Sequence, residues 1–161
     1  MIRLPRHLDF PGAPAPDLQR QPAGFDLTVQ LVAAFESTGE IDLSNAQRVL
    51  PNTKPLDWPE EGGMLLAPGG YLVTYNEEIA VPADCAGIVL PRSSLMRCGA
   101  TLCSALWDPG YRGRGQGLLI VTHPLKLRRD ARIAQFVLLR LEETPDSLYA
   151  GTFQHENLGS P

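Results

Sequence analysis

At 161 residues the chain is long enough for one domain with a real core, and 43% hydrophobic against 20% charged residues is an ordinary globular balance. A net charge of −4 argues against a general nucleic-acid binder but leaves open a site where local arginines decide. No apolar run approaches the ~20 residues that span a bilayer, and no leader-like segment is visible; neither membrane attachment nor export is expected. Three cysteines without a CxxC pair suggest free thiols in a reducing, cytoplasmic setting.

Gly and Pro, 15 of each, punctuate the chain and favour short strands over helices. Residues 1–22 carry five prolines (Pro5, Pro11, Pro14, Pro16, Pro22) and no periodicity, which predicts an extended N-terminal arm, lying on a neighbouring subunit. Ala23–Val29 places β-formers after a glycine and reads as a strand interrupted by one acid, Asp26. Glu36–Gly63 is polar and irregular, an excursion with at most short strands. Met64–Val81 resumes strand-like sequence around the turn Pro68-Gly69-Gly70, and Ala86–Leu90 is a continuous apolar run suited to a buried strand.

Ser94–Cys98 predicts one helical turn closed by Gly99, with Leu95 and Met96 in the core. Gly117–Thr122 and Ile133–Leu141 read as two further strands, with the basic turn Lys126–Arg132 between them. The final stretch, residues 146–161, is polar with isolated aromatics, the composition of a tail that closes over a ligand. Eight to ten short strands between close turns point to an all-β barrel or jelly roll spanning residues 23–145.

Chemistry concentrates in Leu90–Gly117. Pro91-Arg92-Ser93-Ser94 groups a guanidinium with two hydroxyls, donors that suit phosphate oxygens; a helix N-terminus there would add to an anion site, with Ser93 or Ser94 as its cap. Asp108 is the single acid between Cys85 and Arg129, and Pro109-Gly110 after it predicts a chain reversal. Bracketing by Arg92 and Arg112 favours a charged carboxylate able to accept a proton from water. Further on, Gln135 is a polar group inside an apolar strand and needs a partner, which makes it a phosphate or water ligand. No zinc-deaminase pattern of His-x-Glu with Pro-Cys-x-x-Cys occurs.

These segments resemble the dUTPase/dCTP deaminase family at five places in order: Ala23–Leu27 (AGFDL), Pro91–Gly99, Trp107–Gly113 (WDPGYRG), Arg129–Gln135 (RDARIAQ) and the tail Tyr149–Gln154. The resemblance implies a jelly-roll-like, distorted β-barrel subunit assembled as a homotrimer with sites between subunits. It implies hydrolysis of dUTP to dUMP and pyrophosphate, with Asp108 orienting the attacking water and Gln135 assisting. Arg92, Ser93, Ser94, Arg112 and Arg132 would bind the triphosphate, Tyr111 would pack on the deoxyribose, and main chain of residues 100–117 would read the base. Tyr149, Phe153 and Gln154 would close over the ligand, although Thr152 stands where this tail form has lysine, a cation that His155 or Arg114 would have to replace. Mg²⁺ would arrive with the triphosphate, and Asp26 would approach it directly or through water.

The family also contains deaminases, which place a glutamate ten residues beyond the Asp108 position. Here that residue is Leu118, and no glutamate lies between Glu78 and Glu142. A leucine moves no proton, so dCTP deamination ranks below hydrolysis. A non-catalytic deoxynucleotide-binding regulator ranks below both, because Asp26, Asp108 and Gln135 are all present.

Overall fold

A computed structural model describes residues 1–5 and 8–159. Among the described residues twelve strands and two short helices run in the order β1 (Ile2–Arg3), α1 (Pro16–Gln19), β2 (Phe25–Phe35), β3 (Thr53–Pro55), β4 (Met64–Leu66), β5 (Gly69–Tyr75) and β6 (Ile79–Ala80). They continue with β7 (Cys85–Pro91), α2 (Ser93–Arg97), β8 (Ala100–Cys103), β9 (Arg112–Gly113), β10 (Gln116–Val121), β11 (Leu125–Leu127) and β12 (Arg132–Arg140). Eight strands form the main sheet along the path β1-β12-β2-β5-β10-β8, with β3 added to β2 and β7 to β12; β4–β11 and β6–β9 are separate antiparallel pairs.

Two long strands carry the all-β, jelly-roll-like architecture. The first half of β2 pairs with β12, and its second half crosses to pair with β5 and β3. Register shifts between Val29 and Leu31, and between Arg132 and Ala134, bend both strands where this exchange occurs. β12 in turn holds β2 on one edge and β7 on the other, so the residues of these three strands converge at one end. Inward side chains such as Phe25, Leu27, Tyr75, Leu119, Phe136 and Leu138 are fully buried. Each large apolar side chain so buried contributes about 1.5–3 kcal/mol.

The N-terminal segment departs from expectation. It folds on its own subunit: β1 pairs with β12, α1 forms over Pro16–Gln19, and Phe10 stacks on Phe25 at 3.8 Å between centroids. Pro16 at the first helical position suits α1, because its missing N–H has no partner to lose. The excursion keeps its irregular character, with a bridge between Glu40 and Val49 and the short β3. At α2 the helical turn ends as expected, with Gly99 at φ 76°, and Leu95 is buried; Met96 instead points outward at 59% exposure. No helix among the described residues is long and apolar enough to cross a membrane.

Candidate active site

Two cavities hold most of the residues singled out from the sequence, though Ser94, Arg112, Arg132 and Gln154 line neither, and the two share no lining residue. The first, about 350 Å³, lies where β2, β7 and β12 meet and is lined by Asp26, Arg92, Ser93 and Gln135. Strand register builds it: Gln135 on β12 stands opposite Asp26 on β2 and opposite Leu90 on β7. Asp26 is buried, and its Oδ2 accepts Arg92 Nε at 3.0 Å and Arg132 Nη1 at 3.3 Å. The Gln135 amide reaches Asp26 Oδ1 at 3.5 Å, a long contact. Burial pushes the Asp26 carboxyl up from its ordinary value, against the pull of Arg92, Arg132 and Gln135.

α1 braces this cluster from behind. The Arg132 guanidinium also donates to the Leu18 carbonyl, and the buried Gln19 amide donates to the Asp26 carbonyl at 2.8 Å and to Glu77 Oε1 at 2.6 Å. Glu77 also accepts the Thr28 hydroxyl at 2.6 Å and the Thr28 amide at 3.0 Å. Glu77 was not legible as part of this support, because its partners Thr28 and Gln19 lie 49 and 58 residues away in sequence, and Gln19 stands in the segment read as an extended arm.

At α2 the N-cap is Arg92, without a side-chain cap bond, so the expectation of a serine cap is corrected. Ser93 and Ser94 are exposed at the mouth of the cluster, and Ser93 alone of the two lines the cavity.

The second cavity, about 210 Å³, is built around Trp107, Asp108 and Tyr111. Asp108-Pro109-Gly110-Tyr111 closes with a Tyr111 N–H bond to the Asp108 carbonyl at 3.1 Å, and Gly110 at φ 84° supplies the left-handed residue a type II turn requires. Asp108 is thereby held exposed beside a buried aromatic wall, with Trp107 and Tyr111 rings 5.2 Å apart. Gln116 from β10 and Tyr149, Phe153 and Glu156 from the tail complete the lining.

The tail lies docked on its own subunit. Gln154 accepts the Arg112 amide at 2.9 Å and donates to the Gly110 carbonyl at 2.9 Å; the His155 amide donates to the Arg112 carbonyl at 2.7 Å. Glu156, absent from the residues selected above, accepts the Tyr111 hydroxyl at 2.8 Å. Burial pushes both of these groups up, so the tyrosine keeps its proton and remains a donor.

Other expectations are corrected by distance. Arg92 and Arg112 do not bracket Asp108: Arg92 pairs with Asp26, and Arg112 Nε pairs with Glu78 at 2.6 Å and lines neither cavity. Arg114 is engaged by the Asn76 and Asn157 carbonyls rather than replacing a tail lysine. Within one subunit Gln135 and Asp108 lie in different cavities.

A resident metal centre is not built here. No group of three or more His, Cys, Asp or Glu side chains converges among the described residues, and Asp26 is already neutralised by two guanidiniums. Asp26 therefore does not fit as a direct Mg²⁺ ligand in this arrangement.

A family model described as dCTP deaminase-like matches residues 6–141, most of the chain. The chain belongs to that family. Within it, archaeal relatives stand near: a protein of Methanosarcina mazei named as a probable deoxyuridine 5'-triphosphate nucleotidohydrolase is 41% identical over 143 residues, 88% of this chain and 84% of its own. A protein of the same name from Aeropyrum pernix is 41% identical over 140 residues, 86% of each chain. Among solved structures, the 2'-deoxycytidine 5'-triphosphate deaminase of Agrobacterium tumefaciens superposes with a TM-score of 0.55 at 23% identity over 85% of this chain, which spans 42% of that one. The EIAV dUTPase superposes with a TM-score of 0.51 at 18% identity, over 82% of this chain and 87% of that one. These two superpositions speak for the fold of the family.

Proposed function

We propose that the chain is a dUTP diphosphatase, hydrolysing dUTP to dUMP and pyrophosphate and so clearing dUTP from the cytoplasmic nucleotide pool. The carrying observation is the 41% identity, over most of both chains, to archaeal relatives bearing that activity's name. Leu118 supports hydrolysis over deamination: it stands ten residues beyond Asp108, where deaminases of the family resembled carry a proton-shuttling glutamate, and a leucine moves no proton. Glu156 is a second carboxyl in that cavity, but its Oε1 is taken by the Tyr111 hydroxyl. Three free cysteines suit a reducing compartment.

In this reading Asp108 orients a water for in-line attack on the α-phosphorus and accepts its proton, while the bond to the leaving pyrophosphate breaks. Arg92, Ser93 and Ser94 hold the phosphate oxygens, and Gln135 contributes an amide donor beside them. Arg132 fixes Asp26, and through it Arg92, rather than meeting the substrate first. Tyr111 and Phe153 enclose the nucleoside, with Tyr149 and Gln154 holding the tail in place. Mg²⁺ would come with the nucleotide and supply charge neutralisation at its phosphates; Asp26, held by Arg92 and Arg132, would reach it only through water.

Separation of the two cavities supports a homotrimer whose sites combine the Asp108 cavity of one subunit with the Arg92 cluster of its neighbour. The outer face of β5, β8 and β10 supports it too, since Leu118 there is 37% exposed and its neighbours Leu72 and Ile120 are only half-buried. Incubation of the purified chain with Mg²⁺ and dUTP, with chromatography of the products, tests the activity. Failure to release dUMP would remove the reading.

A further inference from the structure

Among the described tail residues, Glu156 alone carries a carboxyl that bonds to the wall of the Asp108 cavity. Its surroundings are shaped for it. A Cβ at Gly113 would stand 2.6 Å from the Tyr111 hydroxyl and 3.2 Å from Glu156 Cγ, and one at Gly115 would stand 3.1 Å from that hydroxyl. Two glycines thus clear the space in which the Tyr111–Glu156 bond forms. Two rings also flank Tyr111, Trp107 at 5.2 Å and Tyr149 at 5.8 Å between centroids; such contacts resist compression but do not pin the swing of the ring about its Cα–Cβ bond.

The tail does not depend on this bond for its place. The Arg114 amide bonds to the Glu156 carbonyl, the His155 amide to the Arg112 carbonyl, and Asn157 Nδ2 to the Arg114 carbonyl, while Gln154 adds two side-chain bonds. The Glu156 carboxylate is therefore free to serve Tyr111. A wall that rejects a ligand by steric collision does so only if it cannot turn aside, and a tyrosine ring held at its hydroxyl cannot.

We propose that Glu156 is a positioning residue: by holding the Tyr111 hydroxyl it locks that ring against the sugar and sets discrimination between deoxyribo- and ribonucleotides. The proposal rests on the dUTP reading above, in which Tyr111 meets the sugar. Discrimination is a ratio between two substrates, which a merely structural role in stability or tail docking would leave unchanged.

The experiment measures kcat/KM for dUTP and UTP, together with Kd for their α,β-imido analogues, in the full chain and its variants. E156A is expected to lower the dUTP/UTP ratio about tenfold, or ~1.4 kcal/mol, chiefly by admitting UTP. Y111F removes the donor and should lower the ratio similarly, and the double variant should add nothing further. E156Q keeps an accepting oxygen and should stay within about threefold of the wild type. Q154A, which loosens the tail elsewhere, should weaken both substrates in parallel and leave the ratio alone. An unchanged ratio in E156A, or an E156Q ratio as low as that of E156A, overturns the proposal while dUTP turnover stands. A wild type that neither turns over nor binds dUTP overturns the dUTP reading and this proposal with it.

Discussion

Asp108 and Asp26 are both single acids in otherwise apolar motifs, yet the fold uses them in opposite ways. Asp26 is buried and ion-paired, whereas Asp108 is exposed on a type II turn. An exposed carboxylate can meet a water, and one neutralised by two guanidiniums is a brace. Asp108→Asn should therefore abolish hydrolysis while leaving dUTP binding within about tenfold, ~1.4 kcal/mol, as measured by single-turnover kinetics beside calorimetric Kd. Near-normal turnover by that variant would take Asp108 out of the chemistry.

Glu77 gives a second prediction at this scale. Burial pushes its carboxyl up, against the bonds from Thr28 and Gln19. A carboxyl raised in the fold binds its proton more tightly there than in the unfolded chain. Its contribution to stability is therefore greatest below the unfolded value of about 4.3 and falls as pH rises above it. Glu77→Gln should flatten that fall, while costing about 1–3 kcal/mol because its amide faces the Thr28 N–H without accepting. Denaturant titrations across pH compare the two proteins; a wild-type advantage that grows with pH would reverse the sign assigned here.

Among elements, those marked by local chemistry were legible in the sequence. The Asp-Pro-Gly turn, the α2 turn ended by Gly99 and the apolar runs of β7, β10 and β12 all follow from residues within a few positions of one another. The N-terminal segment was not. Its prolines signal an extended chain, but Phe10 gains more by stacking on Phe25 and meeting Phe136 edge-on at 6.3 Å than an extended arm would allow. That contact joins residues no local pattern connects. Phe10→Ala should cost about 3 kcal/mol in denaturant unfolding, within the range for a buried aromatic. A loss under 1 kcal/mol would make the segment an accessory to the core rather than part of it. In the tail the same limit hid Glu156, whose importance comes from Tyr111, 45 positions away.

At the scale of the molecule, the site residues were largely legible as types, and their division between two cavities was not, because sequence order says nothing about which surfaces meet. That division makes a prediction about assembly. If each site draws Asp108 from one subunit and Arg92 from another, chains carrying Arg92→Ala and chains carrying Asp108→Asn should be nearly inactive alone. Random mixing through unfolding and refolding should then restore both groups to about a quarter of sites. Light scattering should give three chains per particle. No recovery of activity on mixing would place both groups in one subunit's site.

Product analysis reads the reaction itself. The purified chain is incubated with Mg²⁺ and, separately, dUTP, dCTP, dTTP and UTP, and the nucleotides are resolved by chromatography. Expected are dUMP and pyrophosphate from dUTP, poor turnover of dTTP and UTP, and an intact amino group on dCTP. Release of dUTP or dUMP from dCTP, or no dUMP from dUTP, would contradict the dUTP reading.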